Sequence, residues 1–124
     1  MPSRERVAAL IAMVEEGKYV EAIEEFYTPD ATMQENDDPL RGGREVLVAG
    51  ERKVLSAHKS VRTEPGSSFL LDGDRVVIHW RFKFVRADGK RFRMDELALQ
   101  RWRGDRISEE RFFYDPEQRR RVSG

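Results

Sequence analysis

The side chains of this sequence that could do chemistry are mainly carboxyl groups. No cysteine is present, which excludes a thiol nucleophile, a disulfide and a thiolate zinc site. Glutamate and histidine can bind metal ions, but the spacing of Glu35, Glu51 and His58 matches no known metal motif. We therefore expect no metal and no other cofactor. A poorly hydrated carboxyl group has a raised pKa and can take or give a proton near neutral pH. These side chains therefore suit acid–base catalysis by glutamates in a cavity.

Three predicted helices are followed by a series of predicted strands that must position these groups. Ser3 can cap the first helix and Gly17 ends it; apolar residues recur along each helix at helical spacing. We expect helices at about 4–16, 19–26 and 44–58. We expect extended segments at about 31–35, 60–71 with an interruption near Pro65-Gly66, 76–86, 91–102 and 106–114.

The connections between the later strands are short turns. Asp72-Gly73-Asp74, Ala87-Asp88-Gly89-Lys90 and Gly104-Asp105 each favour a tight hairpin. Helices first and hairpin-linked strands afterwards predict an α+β fold, with an antiparallel sheet and helices packed on one face. The chain of 124 residues fits a single domain, 1–124, with an ordered core at about 4–116 and a polar basic tail at 117–124.

Charge and hydropathy exclude several classes of partner. Lysine plus arginine and aspartate plus glutamate both number 23, so the formal net charge is zero, and no nucleic-acid partner is expected. No apolar run approaches the roughly 20 residues that cross a bilayer, so no membrane partner is expected either. The N-terminus does not resemble a secretory signal. We expect a cytoplasmic protein.

Four short segments have a characteristic order and spacing. They are Phe26-Tyr27-Thr28-Pro29-Asp30-Ala31-Thr32, Pro39-Leu40-Arg41-Gly42, Trp102-Arg103-Gly104-Asp105-Arg106-Ile107 and Phe113-Tyr114-Asp115. With them the chain resembles, from about residue 4 to residue 116, the SnoaL-like branch of the nuclear transport factor two-like superfamily, which includes ketosteroid isomerase and polyketide cyclases. The resemblance implies a cone-shaped, strongly bent and mostly antiparallel sheet wrapped around the N-terminal helices, with a pocket at the wide end.

The same resemblance bears on mechanism. It places Glu35 where the general base of ketosteroid isomerase lies, but it places Ala98 where that enzyme has a protonated aspartic acid. The isomerase tyrosine has no counterpart on the first helix, whose face offers Leu10, Ile11 and Val14. Steroid isomerisation by that mechanism is therefore not expected.

Strand alternation, combined with the resemblance, predicts which side chains face the cavity. Trp80 points inward by the period-two pattern of its strand. The register that the resemblance implies then turns Glu96 and Gln100 inward on the next strand and Glu110 inward on the last strand. We expect Glu35 or Glu110 to act as base, and Glu96, Tyr114 or His58 to act as proton donor. The predicted catalytic residues are Glu35, Glu96 and Glu110, and the predicted pocket-lining residues are Tyr27, Met33, Glu51, His58, Trp80, Met94, Phe112 and Tyr114.

Each assignment has a purely structural alternative. Glu35 could be a carboxylate at the rim, and His58 could interact with the dipole at a helix end. Glu96 and Glu110 could pair with Arg101 or Arg111, or a strand bulge could turn one of them outward. A register slip of one residue would turn Glu109 inward in place of Glu110.

The outer face of the strands mixes apolar and charged residues, which suits a homodimer interface; the resemblance implies the same. The apolar residues of this face are Val77, Val85, Leu97, Leu99 and Phe113, and His79 lies beside them.

Three functions remain open from the sequence. One is a cofactor-free isomerase, cyclase or hydrolase that acts on a small apolar, polyketide-like or steroid-like molecule. The second is a non-catalytic ligand-binding or accessory domain. The third, a purely structural dimerisation module, is disfavoured because buried carboxylates are costly where only packing is needed.

Overall fold

Apolar residues at helical spacing bury one face of the first helix. In the structure, a computed structural model that describes residues 1–124, α1 spans Arg4–Glu15 and buries Val7, Leu10, Ile11 and Val14. Ser3 Oγ accepts a hydrogen bond from the amide of Arg6 over 3.0 Å, as an N-cap should. The predicted first helix is confirmed.

The second helix passes directly into a strand. Helix α2 spans Tyr19–Phe26 and strand β1 spans Tyr27–Glu35. Thr28, Pro29 and Asp30 lie inside β1, so the extended segment predicted at about 31–35 begins earlier, at Tyr27. The pairing register of β1 shifts between Tyr27 and Thr32. Proline lacks an amide donor and is tolerated at such an irregularity.

Six further strands and a third helix follow β1. They are β2 (Arg41–Gly42), α3 (Arg44–Ala57), β3 (His58–Thr63), β4 (Ser68–Asp72), β5 (Arg75–Arg86), β6 (Arg91–Arg103) and β7 (Arg106–Phe113). The seven strands form one sheet in the order β2-β1-β7-β6-β5-β3, with β4 also paired to β5. All neighbouring pairs are antiparallel except β1 and β7, which run parallel.

The predicted interrupted strand over 60–71 is two strands. Strand β3 pairs with the second half of β5, from Phe82 to Arg86, and β4 pairs with the first half, from Arg75 to His79. Gly66 between them has a φ of +85°, a conformation that favours glycine. The 12-residue strand β5 is long enough to hold both partners on one edge.

Helix α3 ends one residue earlier than predicted. His58 is extended, with φ −122° and ψ 148°, and is the first residue of β3. At 14 residues α3 is the longest helix, and no helix has the length and apolar character needed to span a bilayer.

The C-terminal segment folds back onto β6. A 3₁₀ helix, η1, covers Pro116–Arg120. Gln118 accepts from the amide of Asp95 at 2.8 Å and donates to its carbonyl at 3.2 Å. Ser123 forms an isolated backbone bridge with Arg91. The segment expected to be a solvated tail is therefore held against the sheet, although Arg120 and Arg121 are exposed.

The predicted α+β fold class is confirmed. Three helices pack into the concave side of a strongly curled mixed sheet that forms a cone-like half-barrel. On β5, Val76, Ile78 and Trp80 are buried at 0%, 0% and 3% exposure, as the alternation predicted. The core continues through the inward side chains of β6, such as Ala98 and Trp102, to the apolar stripes of α1 and α2.

Candidate active site

A cavity of about 770 Å³ lies between the concave face of the sheet and the helices. Its lining includes the exposed residues Val54, Ala57 and Asp88, so it opens to solvent between the end of α3 and the β5–β6 turn. Of the residues predicted to line the pocket or act in it, the structure brings these to the cavity wall: Tyr27, Met33, Glu35, Glu51, His58, Trp80, Met94, Glu96, Glu110 and Phe112. Tyr114 is not part of the wall, and it contacts the wall residue Glu35.

Glu110 is held by a chain of hydrogen bonds at the buried side of the cavity. The Tyr27 hydroxyl donates to Glu110 Oε1, and Gln100 Nε2 donates to Glu110 Oε2 over 2.7 Å. The indole N–H of Trp102 donates in turn to Gln100 Oε1 over 3.0 Å. The side chains of Gln100 and Glu110 therefore have a fixed orientation.

Two opposing effects set the pKa of Glu110. Burial raises the pKa, while the hydrogen bonds from Tyr27 and Gln100 lower it, and the result is a pKa of about 7. The pKa of Tyr27 is raised well above its usual value, first by burial and then by the Glu110 carboxylate. Tyr27 therefore keeps its proton, and Glu110 is the acceptor of this pair.

Glu96 lies opposite Trp80 in the β5–β6 pairing, on the cavity wall. Its carboxyl group makes no hydrogen bond and no ion pair with the rest of the chain. Burial raises its pKa to about 8, and the neighbouring carboxylate of Glu35 adds to the rise, whereas Arg119 opposes it. At neutral pH Glu96 is therefore mainly protonated and has a proton to give to a ligand.

Glu35 is engaged by three side chains at the end of β1. Its Oε1 accepts from the Tyr114 hydroxyl at 2.7 Å and lies 3.5 Å from Arg119. Its Oε2 lies 3.3 Å from Arg41 Nη2. Burial and the hydrogen bond to Glu35 raise the pKa of Tyr114, so this tyrosine stays protonated. Both oxygens of Glu35 are therefore occupied by side chains of the protein.

Helix α3 and the first residue of β3 each contribute one further polar group. Glu51 faces the cavity without a hydrogen-bond partner, and burial raises its pKa, with Arg41 opposing the rise. His58 Nδ1 lies 2.8 Å from the carbonyl oxygen of Val54 in the last turn of α3. Because a carbonyl only accepts, Nδ1 carries a proton there. This contact is the one expected of a histidine at a helix end.

Aromatic rings form the side of the cavity that β5 provides. Trp80 and Phe82 stack with ring centroids 5.9 Å apart, and Phe82 meets Phe84 edge-on at 6.3 Å. Phe84 stacks on Phe92 at 4.8 Å, and His58 lies 5.2 Å from Phe84. An apolar ligand would find a continuous aromatic surface along this wall.

The strand register decides which glutamates face inward and how they are spaced. Glu110 is 4% exposed, whereas Glu109 points outward and lies 3.7 Å from Arg101. Glu110 is paired with Gln100, not with Glu96. Glu96 therefore lies two inward positions further along β6, beyond Ala98.

The remaining structural alternatives are also decided by these contacts. Arg111, suggested as a partner for the inward glutamates, instead pairs with Asp37 at 2.7 Å. A register irregularity does occur in β7, between the residues paired with Arg101 and Trp102, but it leaves Glu110 facing inward.

Several functional residues were not anticipated as parts of the site. Gln100 was expected to face inward, and its spacing from Glu96 on one strand face was the available signal. Arg41 lies in a motif of the resemblance, but nothing in the sequence placed it beside Glu35. Arg119 gave no signal, because its position depends on the docking of η1 onto β6.

No group of three or more histidine, cysteine, aspartate or glutamate side chains is arranged to hold a metal ion. Arg41 and Arg119, the cations next to Glu35, are both engaged by that carboxylate. What the arrangement offers is a protonated acid at Glu96 and a carboxyl group at Glu110 that titrates near neutral pH.

The half-barrel and its cavity define a class of protein, the nuclear transport factor two-like fold. A sequence model of the SnoaL-like domain matches residues 7–110, and the chain belongs to this family. No curated protein sequence matches the chain.

Solved structures with this fold resemble the chain over nearly its whole length. A candidate SnoaL-like polyketide cyclase from Mesorhizobium loti is 23% identical, with TM-score 0.75, and the match covers 92% of this chain and 100% of that one. A candidate polyketide cyclase from Pseudomonas putida is 15% identical, with TM-score 0.81 and 99% of each chain covered. A protein with a ketosteroid isomerase-like fold from Catenulispora acidiphila, in complex with trimethylamine, is 20% identical, with TM-score 0.77 and coverage of 94% and 89%.

Proposed function

We propose that this protein binds a small, largely apolar organic molecule in its cavity and moves a proton within it without a cofactor. The observation that carries the proposal is Glu96. Its carboxyl group lies on the wall of an apolar cavity, has no partner in the chain, and has a pKa of about 8. Burying an acid without a partner destabilises the fold. A role in ligand binding or catalysis accounts for its presence in the cavity.

The two carboxyl groups with the largest pKa changes suit different roles. Glu96 is mainly protonated at neutral pH and serves as the acid. Glu110, with a pKa of about 7, is partly ionised and serves as the base. Because Ala98 separates their positions along the sheet, they act on different atoms of the ligand. Taking a proton at one atom and giving one at another is the chemistry of isomerisation and of ring closure.

The other predicted proton-transfer groups are less available. Glu35 is engaged by Arg41 and Arg119, so its oxygens are less available to a ligand. The Tyr114 hydroxyl donates to Glu35, and Nδ1 of His58 is occupied by a carbonyl of α3. Glu35 and His58 line the cavity and Tyr114 holds Glu35, whereas Glu110 and Glu96 carry the proton transfer.

The similar structures support the choice of reaction class. Two of them are described as candidate polyketide cyclases, and one holds the small molecule trimethylamine. A cyclisation or isomerisation of a polyketide-like or steroid-like compound fits a cavity of about 770 Å³.

The test begins with the ligand itself. Native mass spectrometry of the purified protein would identify a molecule that remains bound, and NMR in D₂O would follow exchange of its acidic C–H positions. We expect catalysed exchange that is lost in Glu110→Gln and reduced in Glu96→Gln, and that persists in the control Glu109→Gln, whose carboxyl group points outward. Exchange that survives both cavity substitutions would overturn the proposal.

A second function is favoured by one feature of Glu110. Both of its oxygens already accept hydrogen bonds, from Tyr27 and Gln100. A carboxyl group held in this way can orient a ligand-binding site without transferring a proton. A non-catalytic ligand-binding protein would bind the same molecule with unchanged affinity in the wild type and in Glu109→Gln, and would show no exchange in either.

The same proposal includes a homodimer in the cytoplasm. Leu97 and Phe113 are paired across β6 and β7 on the outer sheet face, and they are 48% and 40% exposed. Leu99, at 39%, lies beside them. Covering these side chains with a second copy would remove apolar area from water, and the absence of cysteine suits a reducing compartment.

A further inference from the structure

The cations that line the cavity are already paired. Arg41 and Arg119 lie 3.3 Å and 3.5 Å from the carboxylate of Glu35. Arg86, the third lining arginine, lies 3.0 Å from Asp88, which is also a lining residue. Three guanidinium groups thus serve two carboxylates, and none is directed at the rest of the cavity.

Three other lining carboxyl groups have no cation. Glu51 and Glu96 make neither a hydrogen bond nor an ion pair, and Glu110 accepts only from the neutral donors Tyr27 and Gln100. The cavity therefore contains three acidic groups that form no ion pair in the chain, although Arg41 and Arg119 act on them from a distance. Burial raises the pKa of all three, and neighbouring carboxyl groups add to the rise.

The wall beside these acids is aromatic. Trp80 is paired with Glu96 across β5 and β6, and Phe82 stacks on Trp80 with a centroid distance of 5.9 Å. The faces of such rings attract cations, most strongly when water is excluded. Elsewhere the lining is apolar, since 18 of its 29 residues are hydrophobic, so a ligand must also present an apolar body.

We propose that the ligand of this cavity carries a basic nitrogen, which is bound as an ammonium group between the Glu96 carboxylate and the ring of Trp80. This inference rests on the proposed function and specifies the atom to which Glu96 gives its proton. When a neutral amine binds, the O–H bond of Glu96 breaks and an N–H bond forms, so the pair becomes a carboxylate and an ammonium ion. Glu51 and Glu110 supply further negative charge around it.

The affinity of a neutral, oxygen-containing ligand would depend on pH in the opposite direction to the affinity of a cation. It would accept a hydrogen bond from protonated Glu96, so its affinity would fall as pH rises. A permanent cation must displace that proton, so its affinity must rise with pH. The charged groups that act on Glu96 are Glu35 from β1, Glu51 from α3, Glu110 from β7 and Arg119 from η1; the carboxyl groups among them shift the titration in the same direction.

The experiment compares two probes of similar shape, benzyltrimethylammonium and its uncharged carbon analogue neopentylbenzene. Binding would be followed by tryptophan fluorescence and amide chemical shifts between about pH 6 and about pH 9, the range in which Glu96 titrates. We expect the cation to bind at least about tenfold more tightly than the neutral probe at the upper end. Its affinity should increase by up to about tenfold per pH unit for each proton released.

Two variants test the residue assignment. Glu96→Gln should weaken the cation by about tenfold and flatten its pH dependence, while leaving the neutral probe unaffected; Glu109→Gln should change neither. Equal binding of the two probes, or cation affinity that falls with pH, would overturn this inference and leave the proposed function standing. Failure of both probes to bind would overturn the two together, because the cavity would then not accept a small apolar molecule.

Discussion

Gln100 donates a hydrogen bond from its side-chain amide to Glu110 over 2.7 Å, and its orientation is fixed by the indole N–H of Trp102. The amide oxygen accepts from Trp102, so its nitrogen must face the carboxyl group. This arrangement keeps the pKa of Glu110 from rising as far as burial alone would take it. The site thus contains one carboxyl group that is supported by donors and one, Glu96, that is not.

Removing the amide of Gln100 should affect both stability and titration. In Gln100→Leu the Trp102 indole loses its acceptor and Glu110 loses a donor, so we expect the free energy of unfolding to fall by about 1–3 kcal/mol. The pKa of Glu110 should rise, because the ionised form loses a hydrogen bond. Urea denaturation and NMR titration of the carboxyl carbon would measure these effects. The matched control is Gln34→Leu, whose side chain bonds an exposed carbonyl; an equal loss there would contradict the assignment.

Stability should depend on pH in a direction that these carboxyl groups set. The pKa of Glu96 is raised to about 8 in the folded protein, so between the unfolded value near 4.5 and about 8 the folded state binds more protons than the unfolded state. The free energy of unfolding contributed by Glu96 therefore falls as pH rises through this range, and levels off above it. Denaturation at several pH values should show a weaker decline for Glu96→Gln than for the wild type. The exposed control Glu109→Gln should keep the wild-type slope, and a Glu96→Gln slope that matches it would refute this prediction.

The Tyr114 hydroxyl holds the C-terminal segment at the cavity. It donates to Glu35 over 2.7 Å and accepts from Arg119 over 2.8 Å. Tyr114→Phe should lower the free energy of unfolding by about 0.5–1.5 kcal/mol, and amide exchange in η1 should become faster than in the wild type. Tyr19→Phe removes a hydroxyl group that bonds Thr63 elsewhere and should leave exchange in η1 unchanged. Unaltered exchange in Tyr114→Phe would show that the contacts of Gln118 and Ser123 fix the segment without this hydroxyl group.

The outer-face dimer is tested by placing a charge at the centre of its apolar residues. Leu97→Asp would bury a carboxylate in the interface, so sedimentation should show a dimer for the wild type and a monomer for the variant. Leu40→Asp is the matched control, because Leu40 is 62% exposed and lies outside the sheet. A monomeric wild type, or a dimer that tolerates Leu97→Asp, would exclude this interface.

The strand pattern made much of the fold readable from the sequence. The alternation along β5 alone predicted that Trp80 faces the core, because one strict period-two segment fixes which side is buried. The resemblance then supplied the register that turned Glu96 and Glu110 inward. The division of 60–71 into β3 and β4 was less accessible, since Pro65-Gly66 indicated only an interruption and not that both halves pair with one long strand.

The parts of the site that could not be predicted from the sequence depend on tertiary contacts. Arg119 reaches Glu35 because Gln118 docks on the backbone of Asp95. No local sequence pattern predicts this contact. The spacing of Glu96 and Glu110 along their strands required the exact pairing of Gln100 with Glu110. Local sequence gives the face of a strand, but the partner opposite each residue is decided by the whole sheet.

Replacing each central carboxyl group by methionine should have opposite effects on stability. Glu96 has no partner, so Glu96→Met removes a poorly hydrated acid without leaving any group unpaired, and we expect a gain of about 1 kcal/mol at pH values above the pKa of Glu96. Glu110→Met leaves the Tyr27 hydroxyl and the Gln100 amide without an acceptor, and we expect a loss of about 2–4 kcal/mol. Both variants should lose proton transfer to the ligand. Thermal and urea unfolding would measure the two changes, and a loss of stability in Glu96→Met would mean that its carboxyl group supports the fold instead of serving the cavity.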